Sequence, residues 1–197
     1  MNSSRLLVGI AGIPASGKST FALALTSHTN SLLQDKPAIL IGLDGWHLTR
    51  AQLDAFPDPK LAHDRRGIYW TFDGPGYLSF LRSLRAPSTT VLTAPSFDHA
   101  LKDPSPNAVA VHPHHRIIII EGLYTFLGVE PWGDAGRILD ERWWVNCEEG
   151  EARRRLVKRH VATGVAAGWD EAERRADEND MPSEYLLVEV RLQSGLC

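Results

Sequence analysis

Cysteine is scarce in this chain. Cys147 and Cys197 are the only two among 197 residues, and they form no C-x-x-C pair. That scarcity argues against a disulfide framework and fits a reducing compartment, with the cytoplasm as the default expectation. Long hydrophobic runs are missing too. None approaches the ~20 apolar residues that a membrane span needs, and the apolar stretch in MNSSRLLVGIAG is too short for a signal peptide. Nor is there an excess of basic charge. With 21 Lys and Arg against 24 Asp and Glu, the net charge is −3, and no basic field draws in nucleic acid. Internal repeats and low-complexity linkers are likewise absent. What is present suits one globular domain over residues 1–197: 43% hydrophobic, 23% charged, and long enough to bury a sizeable core. Composition leaves the oligomeric state open.

Against this background one stretch stands out, GIAGIPASGKSTFALAL from Gly9 to Leu25. It contains G-x-x-x-x-G-K-S with Gly12, Gly17, Lys18 and Ser19 in the fixed places. The preceding RLLVGIAG (Arg5 to Gly12) reads as a buried parallel strand. After Lys18, the residues Phe21, Ala22 and Leu25 recur at helical spacing. A glycine-rich turn between strand and helix is the context this motif requires. Its glycines let successive N–H groups turn toward phosphate oxygens, and the helix N-terminus adds partial positive charge. Gly12, Ala15, Ser16, Gly17, Lys18, Ser19 and Thr20 are therefore the expected nucleotide-binding residues. Lys18 is expected to reach the β- and γ-phosphates, and Ser19 to ligate Mg²⁺.

Further strands are expected in PAILIGLD (Pro37 to Asp44), TTVLTAP, RIIIIEG (Arg116 to Gly122) and RWWVNC (Arg142 to Cys147). Helices are expected in PGYLSFLRSLR, with Leu78, Leu81 and Leu84 on one face, and in EEGEARRRLVKRHVATG, closed by Gly164. Strands alternating with helices predict an α/β parallel sheet with helices on both faces, whose ligands bind beyond the carboxyl ends of the strands. Asp44 and Glu121 each end such a strand. Asp44 there can accept a proton from an attacking hydroxyl, and Glu121 can bind Mg²⁺ directly or through water. The structural alternatives are a turn or helix-cap role for Asp44 and a solvated strand end for Glu121. Neither the guanine-reading N-K-x-D nor the L-S-G-G-Q of ABC-type ATPases occurs. The histidines of VHPHHR fit no zinc-ligand spacing and read as a solvated turn.

Taken together and in order, GIPASGKST, LDGWHLTRAQLD, PSFDHALKD and IIIIEGLY resemble the corresponding blocks of the uridine kinase, pantothenate kinase and phosphoribulokinase group, over roughly Leu6 to Pro182. The resemblance implies a P-loop fold with a five-stranded parallel sheet flanked by helices and a helical lid. It implies ATP with Mg²⁺, and transfer of the γ-phosphate to a hydroxyl of a small molecule: a nucleoside, a pantothenate-like compound or a sugar-like alcohol. It casts Asp44 as the base and Glu121 as the residue near the metal. It also places Arg66 and the Asp98–His99 pair on the acceptor side. Trp46 and His47 are expected near the acceptor because they adjoin Asp44, and in HDRRGIYWTFDGPGYL the residues Arg65, Arg66, Tyr69 and Trp70 are candidates to line a pocket for a polar ring or an anionic group. Tyr69 has the alternative of a loop anchor, and Asp98 that of an Asx-turn.

The lid is expected over residues of about 148–180. Ala152 and Leu156 mark its apolar stripe, and Arg155 and Arg159, four apart on one flank, are the expected transition-state cations. A solvated face paired with Glu148, Glu149 and Glu151 is the alternative. WDEAERRADENDMP reads as a helix ending before Pro182. Its DENDMP is similar to the family's segment after the lid, and that resemblance casts Asn179 as helping to place the nucleotide. The tail SEYLLVEVRLQSGLC departs from the family's usual close, although YLLVEV has the pattern of an edge strand. Two functions outside small-molecule phosphorylation stay open at this point: an ATP-binding regulatory module and an NTPase coupled to a partner protein.

Overall fold

The computed structural model describes residues 5–87, 89–98 and 101–180, with the backbone alone at 179 and 180. The expected edge strand in YLLVEV and the expected acceptor contact His99 lie outside the described residues. Four strands form the main sheet: β1 (Leu6–Gly12), β2 (Ala38–Gly42), β5 (Ile117–Glu121) and β6 (Glu141–Val145), in the order β2-β5-β1-β6. Each pairing is parallel, and the register sets Ile10 beside Glu121 and Gly12 beside Val145. Isoleucines at 117–120 suit the central strand β5, because a parallel strand covered on both faces is apolar throughout. Period-two alternation then divides them. Ile118 and Ile120 enter the larger core, and Ile119 joins Val8, Ile10 and Ala22 beneath the first helix.

The larger core is completed by α4 (Gly74–Arg85) and α5 (Trp132–Ile138). Leu78, Leu81 and Leu84 are all buried, as their spacing on one face of α4 predicts. Helix α1 (Lys18–Leu32) covers the opposite face. Its apolar stripe is narrower than the spacing suggests. Ala22 is buried, but Phe21 is 42% exposed and packs at 6.1 Å from Trp143 on edge strand β6. Two short helices, α2 (Arg50–Asp54) and α3 (Pro59–Asp64), lie between β2 and α4. Among the described residues no helix is long and apolar enough to cross a membrane.

Two expectations are corrected. Among the described residues the parallel sheet has four strands rather than five, because TTVLTAP does not enter it. β3 (Leu92–Asp98) instead pairs antiparallel with β4 (Asp103–Val111) in a separate hairpin. Pro95, Pro104 and Pro106 lack the N–H that an interior sheet strand donates, and a two-stranded hairpin with a register shift between Ala94 and Ser96 accommodates them. Second, strand β2 stops at Gly42, and Asp44 sits in a 3₁₀ turn (Leu43–Trp46).

That turn is pressed against the hairpin at Gly45. A Cβ built there would overlap the Pro95 carbonyl and crowd the Ser96 nitrogen, both of them backbone. Gly45→Ala is therefore expected to destabilise the fold by about 1–3 kcal/mol through overpacking, read as a lower urea midpoint at unchanged slope.

The last described elements are α6 (Glu149–Ala162), α7 (Trp169–Arg175) and a π-helical turn (Ala176–Asp180). Gly164, at φ 67°, stands just past α6, as a left-handed helix terminator should. Leu156, Val157, Ala166, Ala172 and Ala176 form a small core of their own, and Ala15 of the glycine-rich loop packs against it. Arg153 ties α6 to the π-turn by two bonds to Asp177, at 2.7 and 2.8 Å.

Candidate active site

The loop from Gly12 to Lys18 connects β1 to α1 at the carboxyl edge of the sheet. Gly17 has φ 93° and nothing within 4 Å of a notional Cβ, so its left-handed backbone faces open space. Ala15 adopts φ 59°, uncommon for a residue with a Cβ. Both turn the chain so that α1 starts with its first N–H groups free of intrahelical partners and directed outward. Ser16 is buried, and its Oγ has no hydrogen-bond partner among the described residues. An orphaned donor beside a strained, open loop fits a phosphate-bearing ligand.

Lys18 projects from the first turn of α1 to Glu121 at the end of β5, with Nζ 3.9 Å from Oε1. Their side chains are only 12% and 15% exposed. Burial lowers the Lys18 ammonium pKa. Glu121 and Asp44 oppose that shift, and Arg159 adds to it. Burial likewise raises the Glu121 carboxyl above the usual carboxylate range. Lys18 works against this rise, Asp44 reinforces it, and a hydrogen bond from the Ser19 hydroxyl eases it. Lys18, Ser19, Glu121 and Asp44 thus form one electrostatic cluster. Among the described residues no group of three or more His, Cys, Asp or Glu could hold a metal unaided. One hydroxyl and one carboxylate beside a phosphate cradle is still the donor set that suits Mg²⁺, which keeps water and substrate oxygens as its remaining ligands.

Asp44 also lines a cavity of about 200 Å³ on the far side of this cluster. Its walls include Pro14 of the loop, His47, Phe72, Leu123 and three arginines, Arg65, Arg66 and Arg175. The Asp44 carbonyl accepts from the His47 N–H at 3.1 Å and lies 2.8 Å from His47 Nδ1, while the imidazole rests 3.9 Å from the Phe72 ring. Arg66 is the frame of the cavity. It donates to the carbonyls of Lys102 (2.5 Å) and Leu48 (2.8 Å) and to Asp103 Oδ1 (2.8 Å), and its guanidinium lies 5.6 Å from the Phe97 ring centre. Asp103 also accepts from the Arg50 backbone N–H at 2.9 Å. This carboxylate therefore joins the hairpin to both sides of the cavity. Partial burial raises its pKa, but the bonds from Arg50 and Arg66 together outweigh that and leave it lowered.

A carboxyl held down in the folded state stabilises it at neutral pH and loses that contribution as acid protonates it. Asp103→Ala is expected to cost about 1–3 kcal/mol at pH 7. Urea titrations of the two proteins should converge as pH falls below about 4, the ordinary Asp range.

Several residues expected at the site are placed differently. Trp46 is 5% exposed and packs in the core, its ring 5.3 Å from both Tyr77 and Phe80, so it backs the cavity instead of lining it. Tyr69 is half-buried against the core, 6.3 Å from the Tyr124 ring. Asp98 adopts the turn alternative, its Oδ1 accepting from the Leu101 N–H at 3.1 Å. Arg155 is bonded through Nε to Glu151 Oε1 at 2.6 Å. It borders a second depression with Ser16, Gly17, Thr20, Phe21 and Trp143, beside the cradle and away from Asp44. Arg159 is exposed, on the helix face near enough to Lys18 to act on it. The Asn179 side chain is outside the described residues. His112, Pro113 and His114 occupy an exposed turn, as expected. Arg175, by contrast, has no local sequence signal. The packing of α7 alone brings it to the cavity.

No family model matches the chain. It is 48% identical over 154 residues to the ATP-dependent kinase-like protein notR' of Aspergillus versicolor, covering 76% of this chain and 89% of that protein. It is 38% identical over 180 residues to a Schizosaccharomyces pombe protein named "Putative uridine kinase", covering 91% and 77%. Among solved structures, a protein from Silicibacter sp. TM1040 titled "putative fructose transport system kinase" superposes with a TM-score of 0.85 at 30% identity, over 97% of this chain and 88% of that one. The cradle, the acid beside it and these similarities over most of both chains agree, and the chain belongs to the uridine kinase-like family of ATP-dependent P-loop kinases.

Proposed function

We propose that this kinase transfers the γ-phosphoryl group of ATP to an alcohol hydroxyl of a small molecule bound in the cavity beside Asp44. The observation that carries this is the position of Asp44, which lines the cavity and acts electrostatically on the Lys18–Glu121 pair behind it. A carboxylate so placed faces an acceptor on one side and the phosphate cradle on the other. As the acceptor oxygen bonds to the γ-phosphorus, the bond from that phosphorus to the bridging oxygen of ADP breaks, and the hydroxyl proton passes to Asp44. Lys18 and the loop N–H groups hold the phosphates and offset their growing charge. Ser19 and Glu121 would hold Mg²⁺, which when bound offsets charge on the phosphate oxygens.

The α6–α7 unit serves as the lid. Its small core touches the cradle through Ala15, and Arg159 lies on the face near Lys18. Arg155 faces the depression on the other flank of the cradle, which suits the nucleoside end of ATP better than the transferring group.

The test is an ADP-release screen over nucleosides, vitamins, sugars, polyols and hydroxy acids, with mass detection of phosphorylated product. Acceptor-dependent ADP release with a matching phosphorylated product is expected. ATP turnover that no small hydroxyl compound stimulates, but a protein partner does, would overturn the proposal in favour of a coupled NTPase. ATP binding without any turnover would favour a regulatory module.

A further inference from the structure

The stretch IIIIEGLY contributes more than its glutamate. Glu121 ends β5 beside Lys18, and each of the next three residues meets a different part of the site. Gly122 is pressed on Leu43, the neighbour of Asp44, so that a Cβ built there would fall 2.3 Å from the Leu43 Cβ. Leu123 lines the cavity beside Asp44. Tyr124 stands outside that lining and is fully buried, and its hydroxyl donates to the Gly67 carbonyl at 2.9 Å.

Gly67 belongs to the wall that residues 65–68 give the cavity. Its φ of 117° is backbone that favours glycine, and nothing lies within 4 Å of a notional Cβ, so side-chain packing does not hold it in that shape. Hydrogen bonds do. The Gly67 N–H donates to Thr71 Oγ1 at 2.9 Å, and that hydroxyl donates to the Ile68 carbonyl at 2.8 Å. Thr71 is part of the same local turn, whereas Tyr124 reaches Gly67 from the end of the sheet. The base of this strut is itself fixed. The Tyr124 ring lies edge-on to Phe72 at 5.4 Å and 5.8 Å from Trp132, and the carbonyl of Thr125 accepts from the Tyr77 hydroxyl at 3.3 Å. Phe72 in turn rests against His47, and both line the cavity. Such a tie matters for chemistry, because a misplacement of about 1 Å between reacting groups can cost ~10²-fold in rate.

We propose that Tyr124 is a positioning residue for phosphoryl transfer. Its hydroxyl fixes the 65–68 wall to the end of β5, and so sets how far an acceptor in the cavity stands from phosphate held beside Lys18 and Glu121. It acts through Gly67 and not on a reacting group. The inference rests on the kinase proposal for what occupies the cavity. Packing accounts for the buried ring, and the hydroxyl is the part that packing does not need.

Tyr124→Phe removes that hydroxyl and keeps the ring. Gly67→Ala is the second variant, since a Cβ there strains the backbone of the wall and meets no neighbour. Hydrogen exchange on the full chain reads the wall directly and needs no acceptor. In Tyr124→Phe the amides of Gly67, Ile68 and Thr71 should exchange about tenfold or more faster, a gain larger than that of the β1 and β5 amides. The second measurement uses whichever of uridine, pantothenate, fructose and glycerate gives most product in the ADP-release screen. Both variants should raise the KM for that compound about tenfold and lower the product formed per ADP released, with the KM for ATP unchanged. A purely structural loss lowers the active fraction and moves neither KM nor that ratio. Unchanged exchange at the wall, or equal gains throughout the chain, would overturn the inference. An unaltered acceptor KM in Tyr124→Phe would overturn it too and leave the kinase proposal standing. A loosened wall with no compound phosphorylated would uphold the tie between Tyr124 and the wall and sink the kinase proposal.

Discussion

Asp44→Asn is expected to lower kcat for phosphoryl transfer by about 10²–10⁴-fold, or roughly 3–5 kcal/mol of barrier. The substitution keeps the shape of the side chain and removes its basicity. The 3₁₀ turn that carries it should survive, because its bonds to His47 run through the Asp44 carbonyl and not the carboxylate. ATP affinity should therefore stay within a few fold of wild type, since the cradle is built by the separate β1–α1 loop. The check is a pair of measurements on the same preparation: nucleotide affinity by calorimetry and acceptor-dependent turnover by product mass. Full turnover in the variant would remove Asp44 from the chemistry. Lost nucleotide affinity would instead make it part of the donor site.

Lys18→Met should be almost as severe, but with a different signature. The side chain is 12% exposed, and methionine replaces its stem without its charge. Loss of a preorganised cation at a developing oxyanion costs about 10²–10³-fold in kcat, and here weaker ATP binding should accompany it. The variant should also change how stability depends on pH. Glu121 already has its carboxyl raised by burial, and Lys18 is the main group pulling it back. Without Lys18 the carboxyl rises further. A raised carboxyl contributes stability below its unfolded pKa, and that contribution is lost as pH climbs through the folded value. The Tm difference between Lys18→Met and wild type should therefore widen from pH 5 to pH 8. A constant difference across that range would show that the two side chains are not coupled in the folded protein.

The parts of the site that were legible in the sequence are those built by consecutive residues. Strand, glycine turn and helix follow one another in GIAGIPASGKSTFALAL, so the cradle could be read without a partner element. Glu121 was legible because four isoleucines announce a buried strand and fix where it ends. The cavity proposed for the acceptor was harder because it is assembled from distant pieces. Nothing near Arg175 in WDEAERRADENDMP distinguishes it from Arg174. The fold of α7 against α6 selects it. Trp46 illustrates the converse, since adjacency to Asp44 suggests a shared face, whereas a 3₁₀ turn sends neighbouring side chains to opposite sides. The hairpin did have a signal that the strand pattern obscured. Prolines at 95, 104 and 106 are poorly suited to the interior of a parallel sheet.

That hairpin gives the protein a modular economy. The residues proposed to handle phosphate stand on β1, α1 and β5, in and against the parallel sheet, where any shift propagates through a close-packed core. The proposed acceptor cavity is framed from outside the sheet, by β3–β4 acting through Asp103 on Arg50 and Arg66. On the proposed function, substitutions in the hairpin would alter what is phosphorylated more than how phosphate is moved. Grafting the hairpin from one such kinase to another is the corresponding engineering route to a changed acceptor under that proposal.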